Sequence, residues 1–547
     1  MKAFEALSPR QRKIAATMPD LVCLGVLLLL GLSLWPQGGG PDLPSWATLH
    51  DQLISGPDSG AWAAGALAHH GGRFEDLDPH RMPTWILLAS ASLHWFPVAL
   101  AGHFTNHMLQ LLLPLVVYVL GRGLGGKAVG LGAGLWVATC PVLVATSRRF
   151  GVDPAITFFV PAMAMAVVWT ARHWKYAFLA GLVGGMCAST HFTTLAYPLA
   201  GLVGILLLGE KGRQRWAAGL AFALGCVAWL YWVFGTFPWP GISGLWMAVP
   251  EGIVPGHRNL QGSPGAAWTQ ALAVVQQGMG SAVNDTVTLM VRSLRPPSLP
   301  WAASVAVVWW GVPGFFLKSS GDSTGWRKWL AGAQWKEGLF LLVCAAPLPL
   351  LAAAGAEPRY SQNLLPVVAL LGIRGAVSLA RGVELLVTRF RPGLPAGSLG
   401  LVLVLLGARS YQADSGISDR QQPPPMAGMA AMKLGNALNE HFPGAGGVVS
   451  DFREAIVYTD RQYCPGTVCP HASHEGAFSG CVAILREECE GEGPIPFVSL
   501  TRSEHDERSE ARKAMEVWAI EQWGVAAEVN IPGFRAQIVA IPRTDTP

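Results

Sequence analysis

The chain has 547 residues, 51% of them hydrophobic and only 14% charged, with a formal net charge of +4 and a mean hydropathy of +0.35. A soluble domain carries roughly 25% charged residues, so a wholly soluble protein is excluded and much of this chain faces lipid. The charge is unevenly divided: residues 1–411 hold 28 Lys and Arg against 16 Asp and Glu, whereas residues 412–547 hold 11 against 19. A basic membrane part and an acidic tail belong in different surroundings, and the basic excess gives no argument for nucleic acid.

In chain order, a polar, basic start (Lys2, Arg10, Arg12, Lys13) precedes an apolar run at 20–36. No small-x-small cleavage site follows closely, so the run reads as an uncleaved first span. A loop occupies 37–84. Residues 85–100 are apolar despite His94 and Pro97, and read as one helix at or just under the outer interface. Further spans are expected at 104–121, 127–146, 153–171, 175–190, 192–209, 216–235, 299–317, 337–355, 361–379 and 395–411, about eleven in all by the length a bilayer demands. A long Gly- and Pro-rich loop lies at 236–298. With the N-terminus in the cytoplasm, the inner segments hold 19 Lys and Arg, and the outer segments before 412 hold nine, all Arg. The positive-inside rule therefore puts the first loop and the tail outside. The expected fold class is an α-helical polytopic protein of the inner membrane, 1–411, with a C-terminal extracytoplasmic α/β domain, 412–547.

The tail changes pattern after Pro423–Pro425. Strands are expected at 446–451, 481–485 and 496–500, with a helix at 452–459 between the first two. An amphipathic helix at 506–524 ends at Gly524, and a closing hairpin at 526–531 and 536–541 turns on Pro532-Gly533. Five cysteines (Cys23, Cys140, Cys187, Cys226, Cys344) lie in apolar segments, where a thiol behaves as a small hydrophobe. The other four, Cys464, Cys469, Cys481 and Cys489, cluster in the tail. In an oxidising compartment they read as two disulfides of open pairing. Zinc binding with His471 and His474 is the alternative use of the same spacing.

Chemistry concentrates in the first outer loop. Between Ile54 and Trp85 stand Asp58, Glu75, Asp76 and Asp78, four of the 16 acids before residue 412, with His69, His70, His80, Arg73 and Arg81. Asp58 follows the first span and opens a short helix, AWAAGALAHHG. Two outer motifs lie further on, SRRFGVDPAITFF (147–159) and EPRYSQNLLPVVALL (357–371).

The order of these features resembles the glycosyltransferase C superfamily, the polyprenyl-phosphate-sugar-dependent membrane transferases. Within it the chain is similar to the group of dolichyl-phosphate-mannose protein mannosyltransferases and lipid A aminoarabinose transferases. GPDSGAWAAGALAHHG resembles the family's Asp-Glu-x-x-Tyr-x-x-x-Ala, with Asp58 matching the acid, Ser59 where many members have Glu, and Trp62 near the usual Tyr. The second motif resembles Ser-Arg-x-x-x-x-Asp, and the third resembles Arg-Tyr-x-x-x-x-Leu-Pro through Arg359, Tyr360 and Pro366. The resemblance implies transfer of a sugar from a polyprenyl-phosphate donor to an envelope glycan, lipid or protein acceptor. It implies Asp58 as base, with Asp153 positioning donor, acceptor or metal. Arg148, Arg149, Arg359, Tyr360 and His191 are then the groups for the donor phosphate, since arginine grips phosphate bidentately. A divalent cation (Mg, Mn or Zn) held by Asp58, Asp76, Asp78 and His80 is a further means of neutralising the leaving group. Each residue also has a plainer use. Asp58 caps its helix, Asp153-Pro154 starts one, Arg148 and Arg149 snorkel, Arg359 anchors at the interface, and His191 ends a helix. A non-catalytic membrane scaffold binding envelope partners through its tail is the alternative function. A transporter is disfavoured by the scarcity of charge within the spans.

Overall fold

A computed structural model describes residues 9–33, 57–72, 82–96, 98–140, 151–170, 173–191, 194–209, 212–236, 426–443, 447–450, 493–502, 510–531 and 534–543, with isolated positions between them. The membrane part runs α1 (Pro9–Ser33), α2 (Pro57–His70), α3 (Pro83–Ser92), α4 (Val98–Gly125), α5 (Lys127–Thr139), α6 (Asp153–Thr170), α7 (Ala177–Ala188), α8 (Tyr197–Leu208) and α9 (Arg213–Thr236). Among the described residues three helices are long and apolar enough to cross a membrane, Ala101–Gly125, Asp153–Thr170 and Arg213–Gly235. Shorter apolar helices cover Thr17–Leu32, Tyr197–Leu208 and Leu365–Arg374. The expected spans 299–317 and 395–411 lie outside the described residues, as does most of 337–355.

Small residues set the helix contacts. α4 and α5 form an antiparallel hairpin through Gly126, whose φ of 91° only glycine adopts freely. The two helices cross where a Cβ on Gly121 would meet Gly130. α1 lies antiparallel to α4, Gly31 against Leu111, and buries Leu27 against Gly134 of α5. α7 and α9 run side by side in the same direction. A Cβ on Gly181 would strike the Phe222 carbonyl, and one on Gly225 would strike that of Phe178. Lipid offers no hydrophobic drive between helices, so such close backbone packing is what holds them together. The outer stripe of α9, Trp216, Leu220, Leu224, Val227 and Tyr231, is exposed at helical spacing, as a lipid-facing side requires.

α7 and α8 are short. Each has 12 residues, about 18 Å at 1.5 Å per residue, against a hydrocarbon core of about 30 Å. The aromatic turn Trp174–Tyr176 before α7 is exposed, as an interface anchor is. α9 gives a second measure of depth. Its Trp229 Nε1 donates to Ser189 Oγ at 2.8 Å, just past the end of α7. The seven residues from Leu230 to Thr236 carry α9 about 10 Å further on. The α7–α8 turn is therefore sunk about 10 Å below the end of α9.

α3 fills the space above it. The sequence suggested one interfacial helix over 85–100, but the structure breaks it at Leu93–Phe96, before α4 begins at Val98. Pro97 explains the break, because it lacks an N–H and turns the preceding residue away from helical geometry. Nor is α3 superficial, since Thr84, Trp85, Ile86, Ala89, Ser90 and Ser92 are all buried.

In the tail, α10 (Met426–His441), β1 (Gly447–Ser450), β2 (Gln462–Tyr463), β3 (Ile495–Arg502), α11 (Glu510–Trp523), β4 (Ala527–Ile531) and β5 (Phe534–Ile541) are described. The sheet order is β2-β1-β3-β5-β4, with β1 parallel to β2 and β3, and β5 antiparallel to β3 and β4. α11 packs Met515 and Ala519 on Phe497, Val539 and Ile541. Residues 481–485, expected as a strand, are helical at Val482, Ala483 and Leu485. An apolar run this short does not distinguish a strand from a buried helix by its period alone. α10, which the sequence did not suggest, precedes β1. The helix expected at 452–459 lies outside the described residues, as do Cys464, Cys469, Cys481 and Cys489.

Candidate active site at one end of the helix bundle

The first-loop helices α2 and α3 run parallel. Trp62 packs edge-on to Trp85 at 5.5 Å between ring centroids. A Cβ on Gly65 would meet Ile86. His69 Nδ1 lies 2.7 Å from Ser90 Oγ, and His70 lies 4.8 Å from His94. Parallel packing sends both helices' first turns, beginning at Pro57 and Pro83, to the same end. Each start follows the rule that Pro is tolerated where the first N–H groups have no intrahelical acceptor.

α3 is the hub. Trp85 Nε1 donates to Asn106 Oδ1 of α4 at 2.8 Å, and Ser92 Oγ lies 3.0 Å from Thr105 Oγ1. At the other end the Thr84 backbone N–H donates to the Ser189 carbonyl at 2.9 Å. The Thr84 and Ser189 hydroxyls are 2.6 Å apart, and Ser189 Oγ reaches the Gly185 carbonyl at 2.8 Å. Ser189 Oγ thus accepts from Trp229 and donates to Gly185, which satisfies a fully buried hydroxyl, and the Thr84 hydroxyl packed against it also reaches the Met186 carbonyl at 3.1 Å. The start of α3 is stapled to the sunken turn.

Asp58 is the second residue of α2. Asp153 is the first residue of α6 and is half-buried; its carbonyl accepts from the Thr157 hydroxyl at 3.0 Å. Trp62, four residues after Asp58, lies beside the segment that leads into α6: a Cβ on Gly151 would sit 3.9 Å from its Cδ1. Trp62 shares one buried cluster with Val152 and Ala155 of the α6 start, Cys187 of α7 and Tyr197 of α8. His191 lies in the α7–α8 turn, 6% exposed. Its N–H donates to Thr194 Oγ1 at 3.1 Å, and its carbonyl accepts from that hydroxyl at 2.6 Å. The helices that carry or flank Asp58, Asp153 and His191 therefore contribute to one buried cluster. Arg148, Arg149, Arg359 and Tyr360 lie outside the described residues, as do Asp76, Asp78 and His80.

Burial against α3, and then the neighbouring His70, hold the His69 pKa below its ordinary value. Among the described residues no three His, Cys, Asp or Glu side chains group as a metal site would. The sequence reading missed Thr84, Ser189 and the polar face of α4, where His103, Thr105, Asn106 and His107 are buried. Polar residues clustered in an apolar run were the available signal.

Among solved structures, ArnT from Cupriavidus metallidurans bound to undecaprenyl phosphate superposes with a TM-score of 0.54 at 12% identity, covering 97% of this chain and 100% of that one. Its apo state gives 0.54 at 13% identity, covering 96% and 98%. The apo oligosaccharyltransferase of Archaeoglobus fulgidus gives 0.51 at 12%, covering 88% of this chain and 69% of that one. At such identities the likeness is one of fold: the chain has the fold of the glycosyltransferase C superfamily of membrane glycosyltransferases. Within it, residues 79–239, from α3 to the end of α9, match the profile of the family described as dolichyl-phosphate-mannose-protein mannosyltransferase. No curated protein matches the chain by sequence.

Proposed function

We propose that the protein is a membrane glycosyltransferase that moves one sugar from a polyprenyl-phosphate carrier to an acceptor hydroxyl at the outer face of the inner membrane. One observation supports the reading: the first turns of the helices carrying Asp58 and Asp153 lead into one buried cluster, Trp62 with Val152 and Ala155, which also takes in Cys187 and Tyr197 on either side of the His191 turn. In the proposed reaction the acceptor oxygen bonds to the anomeric carbon, the bond from that carbon to the phosphate oxygen breaks, and the lipid phosphate leaves with the electron pair. Asp58 takes the acceptor proton. Asp153 orients Asp58 or the acceptor. Arg148, Arg149, Arg359, Tyr360 and His191 hold the phosphate as its charge develops. The starts of α2, α3 and α6 add the positive ends of three helix dipoles to the same region. The acceptor is an envelope glycan, lipid or protein.

Asp58→Asn tests the base. Asp58 lies in the first turn of α2, where a negative charge is worth only about 0.3–1 kcal/mol, so if its role is purely structural the Asn variant leaves both stability and turnover near normal. On the proposed reading the melting temperature and donor binding persist, while single-turnover transfer to a hydroxyl acceptor falls roughly 10²–10⁴-fold, the usual range for a positioned acid or base. Full turnover in the variant sinks the assignment.

A further inference from the structure

The far end of α4 from the candidate site gathers cations beside one enclosed carboxylate. Asp20 of α1 accepts from Tyr118 Oη at 2.6 Å through Oδ1. Its Oδ2 lies 2.9 Å from Arg122 Nη2 and 3.5 Å from Lys127 Nζ. In the same turn Arg374 Nη1 donates to the Gly125 carbonyl at 3.2 Å. Arg122 and Lys127 thus share the Asp20 carboxylate, and Arg374 stands at the same α4–α5 turn. The Asp20 side chain is 10% exposed, whereas those of Arg122 and Lys127 are 48% and 45% exposed. The carboxylate is enclosed, and the outward sides of both cations stay open. Within one helical turn of Asp20 and Arg122, the apolar side chains Met18, Leu21, Val22 and Val119 are exposed as well.

An open cationic pair above an exposed apolar wall has the shape of one ligand class. We propose that the α1–α4–α5 end binds the phosphate of an anionic phospholipid of the cytoplasmic leaflet, with the acyl chains along α1 and α4. The charge count puts this end in the cytoplasm. Arg122 offers a planar fork to the phosphate, Lys127 a point charge, and basic pockets between spans on that side suit anionic head groups. Asp20 then both pre-positions the cations and competes with the lipid for them.

The test uses the full-length protein in mixed micelles containing phosphatidylglycerol or phosphatidylcholine, with retained lipid counted by native mass spectrometry. The wild type is expected to keep phosphatidylglycerol in preference. Arg122→Gln should weaken retention roughly fivefold, the Boltzmann equivalent of one basic residue near an anionic surface. Lys127→Glu should abolish the preference while keeping the fold, because Lys127 is the first residue of α5 and a helix start favours an acid. Asp20→Asn should tighten retention; should it lower the melting temperature instead, Lys127→Glu decides alone. Equal retention of the two lipids by the wild type overturns the proposal, as does an unchanged preference in Lys127→Glu. Displacement of phosphatidylglycerol by inorganic phosphate also overturns it, since that would mark a free-anion site.

Discussion

His69 shows how the fold acts on a single residue. Packed on α3 with Nδ1 at the Ser90 hydroxyl, and beside His70, it resists protonation. Above the ordinary histidine pKa of 6.5, the ring is neutral in both folded and unfolded chains. As the pH falls below that value, the unfolded chain takes up a proton that the folded site still refuses, so stability is lost until the lowered folded pKa is passed. The melting temperature should therefore drop between pH 7 and pH 5, and His69→Gln, which still reaches Ser90, should flatten that slope. An unaltered slope in the variant would place the titration elsewhere. At this scale the sequence was legible only where backbone chemistry marks a residue. Asp58 and Asp153 stand beside a Pro at helix starts, and both are found there. Thr84 and Ser189 carry no such mark, because a hydroxyl in an apolar run does not reveal a partner 105 positions away.

Between elements, glycine decides which helices touch. Gly181 of α7 and Gly219 of α9 look alike in sequence, yet their surroundings are opposite. A Cβ on Gly181 meets the Phe222 carbonyl and the Gly225 backbone, which cannot give way. One on Gly219 meets only Leu202 Cδ1 at 3.4 Å and Leu206 Cδ2 at 3.6 Å, ordinary contact. Gly181→Ala should destabilise by about 1–3 kcal/mol, the usual cost of overpacking. Gly219→Ala should be neutral or stabilise by up to about 1 kcal/mol, the helix-propensity gain. Melting of the two variants side by side checks both signs. The helices themselves were legible, because apolar length and Pro or Gly boundaries fixed α4 to α9 nearly as expected. What the sequence did not yield was depth. Residues 85–100 were apolar enough for an interface, and only the short α7–α8 hairpin beneath them makes room for α3 to be buried.

Over the whole chain, charge and periodicity spoke most clearly. The excess of Lys and Arg in alternate segments before residue 412 predicts that a periplasmic reporter enzyme fused after Arg409 is active only outside the cytoplasm. Activity of a cytoplasmic reporter there would reverse the face on which Asp58 works and the leaflet facing Lys127. The tail's closing hairpin and α11 were legible from alternation and from the Gly524 stop. α10 was not, because a Gly- and Met-rich stretch directly after three prolines reads as linker.

The sunken α7–α8 turn alters the medium in which a charge would be handled. Two charges attract about four times more strongly at an effective dielectric constant near 20 than in bulk water. A turn about 10 Å below the end of α9, roofed by α3, lies closer to the first condition than to the second. A phosphate drawn to that depth would shed much of its hydration. On the proposed function water is the competing acceptor for the activated sugar, and a sunken site would admit less of it. Stray hydrolysis of the donor should thus be slow in the intact protein and rise where the Thr84–Ser189 staple is cut.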